Sequence, residues 1–355
     1  MLWSNSVYAA VLRQTLIALA LAAAPLARSS AQIADAGSPQ ATDGGTPVAV
    51  RAASLTDQLV AALDRVFRGP HVGERAIHTK GIVLIGTFIA NPDAMSLSSA
   101  EHLRADGPPV PVIVRFSDFS GVPSQNDGKP GANPAGMAIK FQRPGSVDTD
   151  IVAHSYNGFP VGTPEDFLGY LNALASRDLR ISEAFFASHP AAKQFVDAPK
   201  PTPVSYGTET FYGVDAFRFV NAAAVSHFGR YRIEPVAGDQ FFSAPAAAGI
   251  KPDYLRDEML QRLASGPVRF HLRLQLAASD DVVTDPTTPW PDDRPVVTLG
   301  TLSLTKIADD ASPELKTLFF SPLNLVPGIA PSADPLLAAR TRTYMISYRR
   351  RLAGQ

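Results

Sequence analysis

The sequence predicts an α+β fold in which an antiparallel β-sheet or closed barrel is surrounded by helices. Short strand-like segments such as VPVIVRFS (110–117) and GMAIKF (136–141) are bounded by Gly, Pro or Asn. In VRFHLRLQL (268–276) apolar and polar residues alternate strictly, which is typical of a strand with one buried face. Helical segments intervene at PEDFLGYLNAL (164–174), ISEAFFASH (181–189) and DYLRDEMLQRLA (253–264).

Residues 1–31 have the features of a secretory signal peptide. Arg13 precedes an apolar stretch from Leu16 to Ala24, and the residues SSA before Gln32 fit a small-x-small cleavage site. The stretch is shorter than the roughly 20 residues that a membrane-spanning helix needs, although an uncleaved anchor is the alternative. We therefore expect no stable membrane insertion once the signal is cleaved. If the source is bacterial, the expected location is the periplasm.

Residues 32–53 are predicted to be a flexible linker, and residues 54–355 a single domain. The linker is rich in Ala, Gly, Ser, Pro and Asp and has no periodicity. The domain begins with a predicted helix in SLTDQLVAALDRVFRGP (54–70). Ser54 and Asp57 match a capping box there, and Gly69-Pro70 marks the end of the helix.

The composition excludes several functional classes. The chain has 32 basic and 33 acidic residues, whereas a nucleic-acid-binding protein usually has a basic excess. It contains no cysteine, which excludes thiolate catalysis, iron–sulfur clusters, zinc–cysteine sites and disulfides. A bound metal would therefore need His, Tyr, Asp or Glu ligands.

The segment RAIHTKG (75–81) places an ionisable His78 directly before the apolar run IVLIGTFIA (82–90), which is predicted to be a buried strand. Such a histidine could accept a proton from a peroxide and return it to the leaving oxygen. Ser117, in VRFSDFSG, could hydrogen-bond the other ring nitrogen. The alternatives are a purely structural histidine and a solvated serine.

The segment SADPLLAARTRTYMISYRRRL (332–352) is predicted to be a helix with Asp334 as N-cap and Pro335 at its first position. Arg340 and Tyr344 are four residues apart, so they should meet on one face of the helix. A guanidinium beside a phenol favours the phenolate, and tyrosinate is one of the ligands that haem iron accepts. A surface arginine near a half-buried tyrosine is the alternative.

Together these features resemble the haem catalase superfamily. Five segments are similar, in order, to the motifs of that family: RAIHTKGIVLIGTF (75–88), VRFSDFSG (114–121), NPAGMAIKFQRPGSVDTDIV (133–152), TETFYGVDAFRFVN (208–221) and FFSPLNLVPGIAPSADPLLAARTRTY (319–344). The matches cover most of the chain from Val72 to Leu352. The segments that follow the core in full catalases have no counterpart, which resembles the core-only catalase-related peroxidases.

The resemblance implies a catalase-like antiparallel barrel that binds haem b. His78 would be the distal acid–base residue, and Ser117 would be its orienting partner. Tyr344 would be the iron ligand, and Arg340 would hold it as the anion. The resemblance also implies that three arginines, Arg75, Arg115 and Arg351, pair with the haem propionates.

Other positions follow the family less closely. Ile77 falls where a small apolar residue narrows the channel above the iron. The family has a distal asparagine where this chain has DIVAHSYNGFPV (150–161). Ungapped alignment places His154 or Ser155 there, whereas one inserted residue would bring in Asn157, which is the preferred prediction. Asp118 stands where threonine is usual.

The predicted function is a haem-dependent peroxidase that reduces hydrogen peroxide or organic hydroperoxides with a small organic electron donor and has residual catalase activity. The alternatives are a hydroperoxide-rearranging haem enzyme, a periplasmic haem-binding or storage protein, and a lipocalin-like barrel for apolar ligands. Full catalases form tetramers through segments that are missing here. A monomer or homodimer is therefore expected.

Overall fold

The structure is a computed structural model, and it describes residues 53–143, 145–309 and 312–354. The predicted signal peptide and nearly all of the predicted linker lie outside the described residues. In the described part of the chain, no helix is both long enough and apolar enough to span a membrane.

Eight antiparallel strands close into a barrel, which confirms the predicted fold class. Around the barrel the order is β1, β2, β3, β4, β5, β7, β8, β9 and back to β1, while β6 pairs with β7 and carries β10 outside the closed ring. The strands are β1 (Gly81–Ala90), β2 (Val110–Ser117), β3 (Gly136–Phe141), β4 (Thr149–His154), β5 (Phe211–Tyr212), β6 (Phe217–Val220), β7 (Ser226–Pro235), β8 (Val268–Leu276), β9 (Val296–Ile307) and β10 (Ile329–Pro331).

Nine α-helices surround the strands in the described part of the chain. They are α1 (Leu55–Phe67), α2 (Ala94–Leu97), α3 (Pro164–Ala175), α4 (Leu179–Ser188), α5 (Pro190–Asp197), α6 (Ala244–Ala248), α7 (Tyr254–Ser265), α8 (Pro313–Lys316) and α9 (Pro335–Leu352). Short 3₁₀ helices occupy Glu101–Leu103, Pro130–Ala132 and Tyr206–Thr208.

The local signals in the sequence account for the helix ends. At the start of α1, Ser54 and Asp57 form the predicted capping box. At the start of α9, the Asp334 side chain accepts a hydrogen bond from the Leu336 amide. α1 packs against both α3 and α9, so these three helices form one layer.

Strand β8 follows the predicted alternation only as far as Leu274. Val268, Phe270, Leu272 and Leu274 are buried, but Gln275 is buried as well and Leu276 is half-buried. A register shift against β9 lies between Leu272 and Arg273. The buried Gln275 amide donates to the Pro291 carbonyl, which compensates for its loss of water.

The interior of the barrel is filled by side chains. Alternate residues of β1 to β4 point inward, and five fully buried phenylalanines of the barrel core are Phe88, Phe116, Phe141, Phe211 and Phe270. In the described structure these side chains occupy the interior, which is where a lipocalin-type barrel would hold an apolar ligand. The other face of β2, β3 and β4 carries Arg115, Ser117, Ala138 and Val152, and it is this outer face that borders the candidate site.

Candidate active site

A cavity of about 1620 Å³, counting its open mouth, lies between the outer face of β2–β4 and the helices α1, α3 and α9. Residues of α9 line it at helical spacing, from Leu336 through Arg340 and Tyr344 to Arg351. Most of the remaining wall is apolar, and α1 and α3 contribute Leu63, Phe67, Phe167 and Leu171.

The His78 ring is held in one orientation beside this cavity. Its Nδ1 lies 2.9 Å from the Asp118 carbonyl oxygen and 3.2 Å from Ser117 Oγ. With a carbonyl at 2.9 Å, Nδ1 carries the proton and donates it. The Phe119 ring packs edge-on against the imidazole, with centroids 5.6 Å apart. Among the described residues Nε2 has no hydrogen-bond partner, so it is left as an acceptor for a molecule in the cavity.

Two backbone features make this position of the ring possible. His78 has a φ of 56°, a left-handed conformation that is uncommon outside glycine. Gly136 pairs with Ser117 across β2 and β3, and a Cβ atom on it would lie 2.8 Å from both His78 Nδ1 and Ser117 Oγ. The space that the imidazole occupies therefore depends on a glycine in the neighbouring strand.

Electrostatics keep His78 neutral. Burial and, to a smaller extent, the positive charge of Arg115 lower its pKa to about 4, although the hydrogen bond to Asp118 opposes the shift. A neutral imidazole can accept a proton at Nε2 near neutral pH, which acid–base catalysis requires.

A buried acidic group lies directly behind His78. The Tyr206 hydroxyl donates to the Asp118 carboxyl over 3.1 Å. Burial raises the pKa of Asp118 to about 7, and the nearby charge of Asp127 adds to the rise while Lys80 opposes it. Asp127 itself is ion-paired with Lys80.

On the α9 side of the cavity, Tyr344 and Arg340 meet on one helix face. The Arg340 guanidinium donates to the Tyr344 oxygen from Nε at 3.2 Å and from Nη2 at 3.1 Å. Its third nitrogen, Nη1, forms an ion pair with the buried Asp215. Burial alone would lower the pKa of Arg340, but Asp215 and Tyr344 together raise it above its ordinary value. Two charge-assisted donors on one oxygen favour negative charge on that oxygen.

Three arginines converge at another edge of the cavity. Arg75 and Arg351 both donate to the Leu318 carbonyl, at 3.1 and 2.9 Å, and Arg115 donates to the Thr79 carbonyl at 2.9 Å. Among the described residues no carboxylate lies within ion-pair distance of any of the three. Burial lowers the pKa of Arg75, and the charges of Arg115 and Arg351 lower it further.

These features fit the haem that the sequence resemblance implies. A phenolic oxygen with two guanidinium donors suits a ferric iron, because tyrosinate is a recognised haem ligand. A cluster of cations without carboxylate partners suits a ligand with two carboxylates of its own. The buried Nε of Arg351 makes no hydrogen bond in the described structure, which leaves a donor for such a group.

The cavity brings together eight of the nine predicted site residues, namely Arg75, Ile77, His78, Arg115, Ser117, Arg340, Tyr344 and Arg351. The ninth, Asn157, is not among the residues that line it. His154, which the ungapped alignment suggested, does line it. Sequence reasoning assigned no role to Asp215, whose partner Arg340 is 125 residues away, because no local pattern connects such a pair.

Known proteins resemble this chain along most of its length. The catalase family model matches residues 31–355. A catalase-related peroxidase of Mycolicibacterium paratuberculosis is 38% identical, covering 83% of this chain and 94% of the relative. One of Synechococcus elongatus is 30% identical, covering 84% and 89%. A catalase of Alkalihalophilus pseudofirmus is 26% identical, and the match covers only 46% of that protein.

Solved catalase structures share the fold. A fungal catalase superimposes with a TM-score of 0.71 at 22% identity over 91% of this chain and 66% of its own. Catalase A from Saccharomyces cerevisiae gives 0.71 at 21% identity over 90% and 68%. The chain therefore spans about two thirds of the length of these catalases.

Proposed function

The chain belongs to the catalase family, and from this premise we propose that it is a haem-dependent peroxidase that reduces hydrogen peroxide or organic hydroperoxides with a small organic electron donor. The resemblance predicted from the five sequence segments is confirmed. Family membership makes the protein an oxidoreductase that acts on peroxide. The donor, haem b as the form of the cofactor, and residual catalase activity are parts of the proposal.

The observation that carries the proposal is the placement of His78. Its Nδ1 is engaged by Asp118 and Ser117, and its Nε2 has no partner in the described part of the chain, so the ring presents a basic nitrogen to the cavity. A peroxide beside this nitrogen gives up its proton to Nε2. The same nitrogen would then return the proton to the departing oxygen, which leaves as water or as an alcohol. A bound haem would supply the electrons that break the O–O bond. The other oxygen would leave as water after the donor has supplied two electrons and two protons have been added.

The groups on α9 would hold the cofactor. Tyr344 would bind the iron, and Arg340, fixed by Asp215, would keep the phenolic oxygen anionic. Arg75, Arg115 and Arg351 would pair with the propionates. A haem bound there supplies the redox centre for cleavage of the O–O bond and for electron transfer from the donor.

The fraction of each relative's length that the match covers supports a peroxidase that uses an organic electron donor. The match extends over 94% and 89% of two proteins named catalase-related peroxidase, but over only 46% of a catalase. A haem-storage protein would need Tyr344 and the arginines but not the oriented imidazole of His78. A hydroperoxide-rearranging enzyme would share the whole site and is distinguished by product analysis with a lipid hydroperoxide.

The first test concerns the haem. The protein purified from haem-supplied cells should show a high-spin ferric haem spectrum, which Tyr344→Phe should alter or abolish. Tyr348→Phe is the matched control, because it removes the same hydroxyl from the same helix one turn further on, in the same cavity. The absence of a haem band in the parent after reconstitution would refute the proposal.

The second test concerns the acid–base role. His78→Ala should retain haem and lose peroxide turnover, with and without a donor such as a phenol. His227→Ala, at an exposed position on β7, is the control. Unchanged turnover in His78→Ala would show that the histidine does not transfer the proton.

The location and assembly are also proposals. The signal-like residues 1–31 support export to the periplasm, which cell fractionation would test. A monomer or homodimer is the proposed assembly, which light scattering would measure.

A further inference from the structure

We propose that His154 is a second peroxide-binding histidine, which hydrogen-bonds the substrate's oxygens beside His78. This inference rests on the proposed function and adds to it a residue that contacts the substrate. It places the imidazole of His154 at the position of the distal asparagine, for which the sequence analysis preferred Asn157.

The strand register places His154 next to His78. Ser117 on β2 pairs with Gly136 on β3, and Gly136 pairs with His154 on β4. Residues that pair directly across an antiparallel sheet point to the same face. The side chains of Ser117 and His154 therefore flank the space above Gly136, and that space holds the His78 imidazole.

The polar atoms of His154 have no partner in the described structure. Both Nδ1 and Nε2 are buried without a hydrogen bond. The nearest rings are Phe159 and Phe195, with centroids 6.3 and 6.5 Å away, and neither can satisfy a ring nitrogen. Buried polar groups in native proteins are nearly always hydrogen-bonded. Since His154 lines the cavity, a ligand in the cavity is the natural partner.

The ring can reach such a ligand without any change in volume. A half-turn about the Cβ–Cγ bond exchanges the two nitrogens with Cδ2 and Cε1. The side chain keeps the same shape and presents its nitrogens on the opposite edge. Because the nitrogens have no hydrogen bond to lose, this turn breaks no polar contact.

The charge state of His154 suits a neutral ligand that both donates and accepts. Burial, together with the positive charge of Arg340, lowers its pKa to about 3. A neutral imidazole has one donor and one acceptor nitrogen. A hydroperoxide offers an O–H donor and two acceptor oxygens, so it matches the ring. In this arrangement His78 transfers the proton while His154 fixes the position of the O–O bond.

The test uses azide as a small probe of the loaded protein, measured by absorption titration. Azide offers terminal nitrogens that accept a hydrogen bond. His154→Leu, which removes the donor at similar volume, should weaken azide binding by about tenfold or more. His154→Gln, which restores an N–H donor, should recover most of the affinity. The kcat/KM for peroxide should fall and recover in the same order. His227→Gln is the control.

The outcomes separate the two proposals. If the parent protein binds no haem, the proposed function fails. If His154→Leu shows the parent's haem spectrum but an azide Kd within twofold of the parent's, the inference about His154 is wrong and the proposed function stands. If His154→Leu does not load haem, His154→Met replaces it, and equal azide binding in the Met and Gln variants would overturn the inference.

Discussion

Replacing Gly136 with alanine should impair catalysis without removing the cofactor. Gly136 lies in an extended strand, so alanine fits its backbone conformation. The added methyl group would lie 2.8 Å from His78 Nδ1 and 2.8 Å from Ser117 Oγ, closer than Cβ atoms approach other atoms. The backbone of β3 is paired on both sides, so the side chains must move.

The size of the effect follows from that distance. To reach 3.4 Å, the lower limit of ordinary contact, the imidazole must shift by roughly 0.6 Å. Displacing a catalytic group by ~1 Å costs about a hundredfold in rate, so we expect a fall in kcat/KM of about tenfold to a hundredfold. Overpacking in a buried position should also lower the free energy of unfolding by about 1–3 kcal/mol.

The assay is steady-state peroxide turnover beside the absorption spectrum of the same sample. Gly136→Ala should keep the haem spectrum of the parent, because the Tyr344 side of the cavity does not contact the methyl group. Gly107→Ala is the control, since the Cβ there would be exposed and 3.4 Å from its nearest neighbour, the Arg104 carbonyl oxygen. Full activity in Gly136→Ala with a normal spectrum would refute the placement of His78.

Three further predictions follow from the charges. Asp215→Asn removes the carboxylate that pairs with buried Arg340, so the free energy of unfolding measured in urea should fall by about 3–5 kcal/mol. Asp106→Asn, at an exposed ion pair, is the control and should change it little. Equal effects of the two variants would contradict the buried pairing. Arg75→Met removes one of three arginines that repel one another, so the Tm of the haem-free protein should not fall. The rise in Tm on haem binding should become smaller, because one partner for the propionates is lost. An undiminished rise would exclude Arg75 from haem binding. The pKa of Asp118 is raised from its ordinary 3.8 to about 7, so the folded state holds this proton to a higher pH than the unfolded state does. The folded parent therefore becomes less stable as the pH rises from about 4 to about 7. Relative to the parent, Asp118→Asn should therefore be more stable at pH 8 than at pH 4 in urea denaturation, and a difference independent of pH would contradict the shift.

Features that depend on neighbours in the sequence could be predicted. Arg340 and Tyr344 meet because four residues make one helical turn, and Asp334 caps their helix because its carboxyl lies beside the first free amides. The role of His78 was predicted from the resemblance of RAIHTKG (75–81) to a family motif. Each of these features is decided within a few residues of chain.

Features that depend on distant segments could not be predicted. The ion pair between Asp215 and Arg340 joins a loop between β5 and β6 to the last helix. The barrel closes through β7 and β8 while β6 lies outside the ring, and no periodicity in the sequence distinguishes β6 from the strands of the ring. Both depend on the tertiary arrangement of strands with similar patterns.

The sequence could not decide between His154 and Asn157 for a more specific reason. A strand with one buried face reveals its register through alternation, but β4 is covered on both faces. Ile151 and Ala153 point into the barrel, while Val152 points to the cavity, so apolar residues stand on both sides. Without alternation the sequence did not show which face His154 takes.

On a sheet that is covered on both faces, the alternation of apolar and polar residues does not show which side chains face a binding site. The hydrogen bonding of the polar residues does. On the outward face of β2–β4, Lys140 and Asp150 satisfy each other in an ion pair. Arg115 donates to a backbone carbonyl, and Ser117 contacts His78. Among the described residues of these three strands, only the side chain of His154 has buried polar atoms without a partner. Because the same strands are otherwise fully satisfied, its unpaired nitrogens indicate a ligand-binding position.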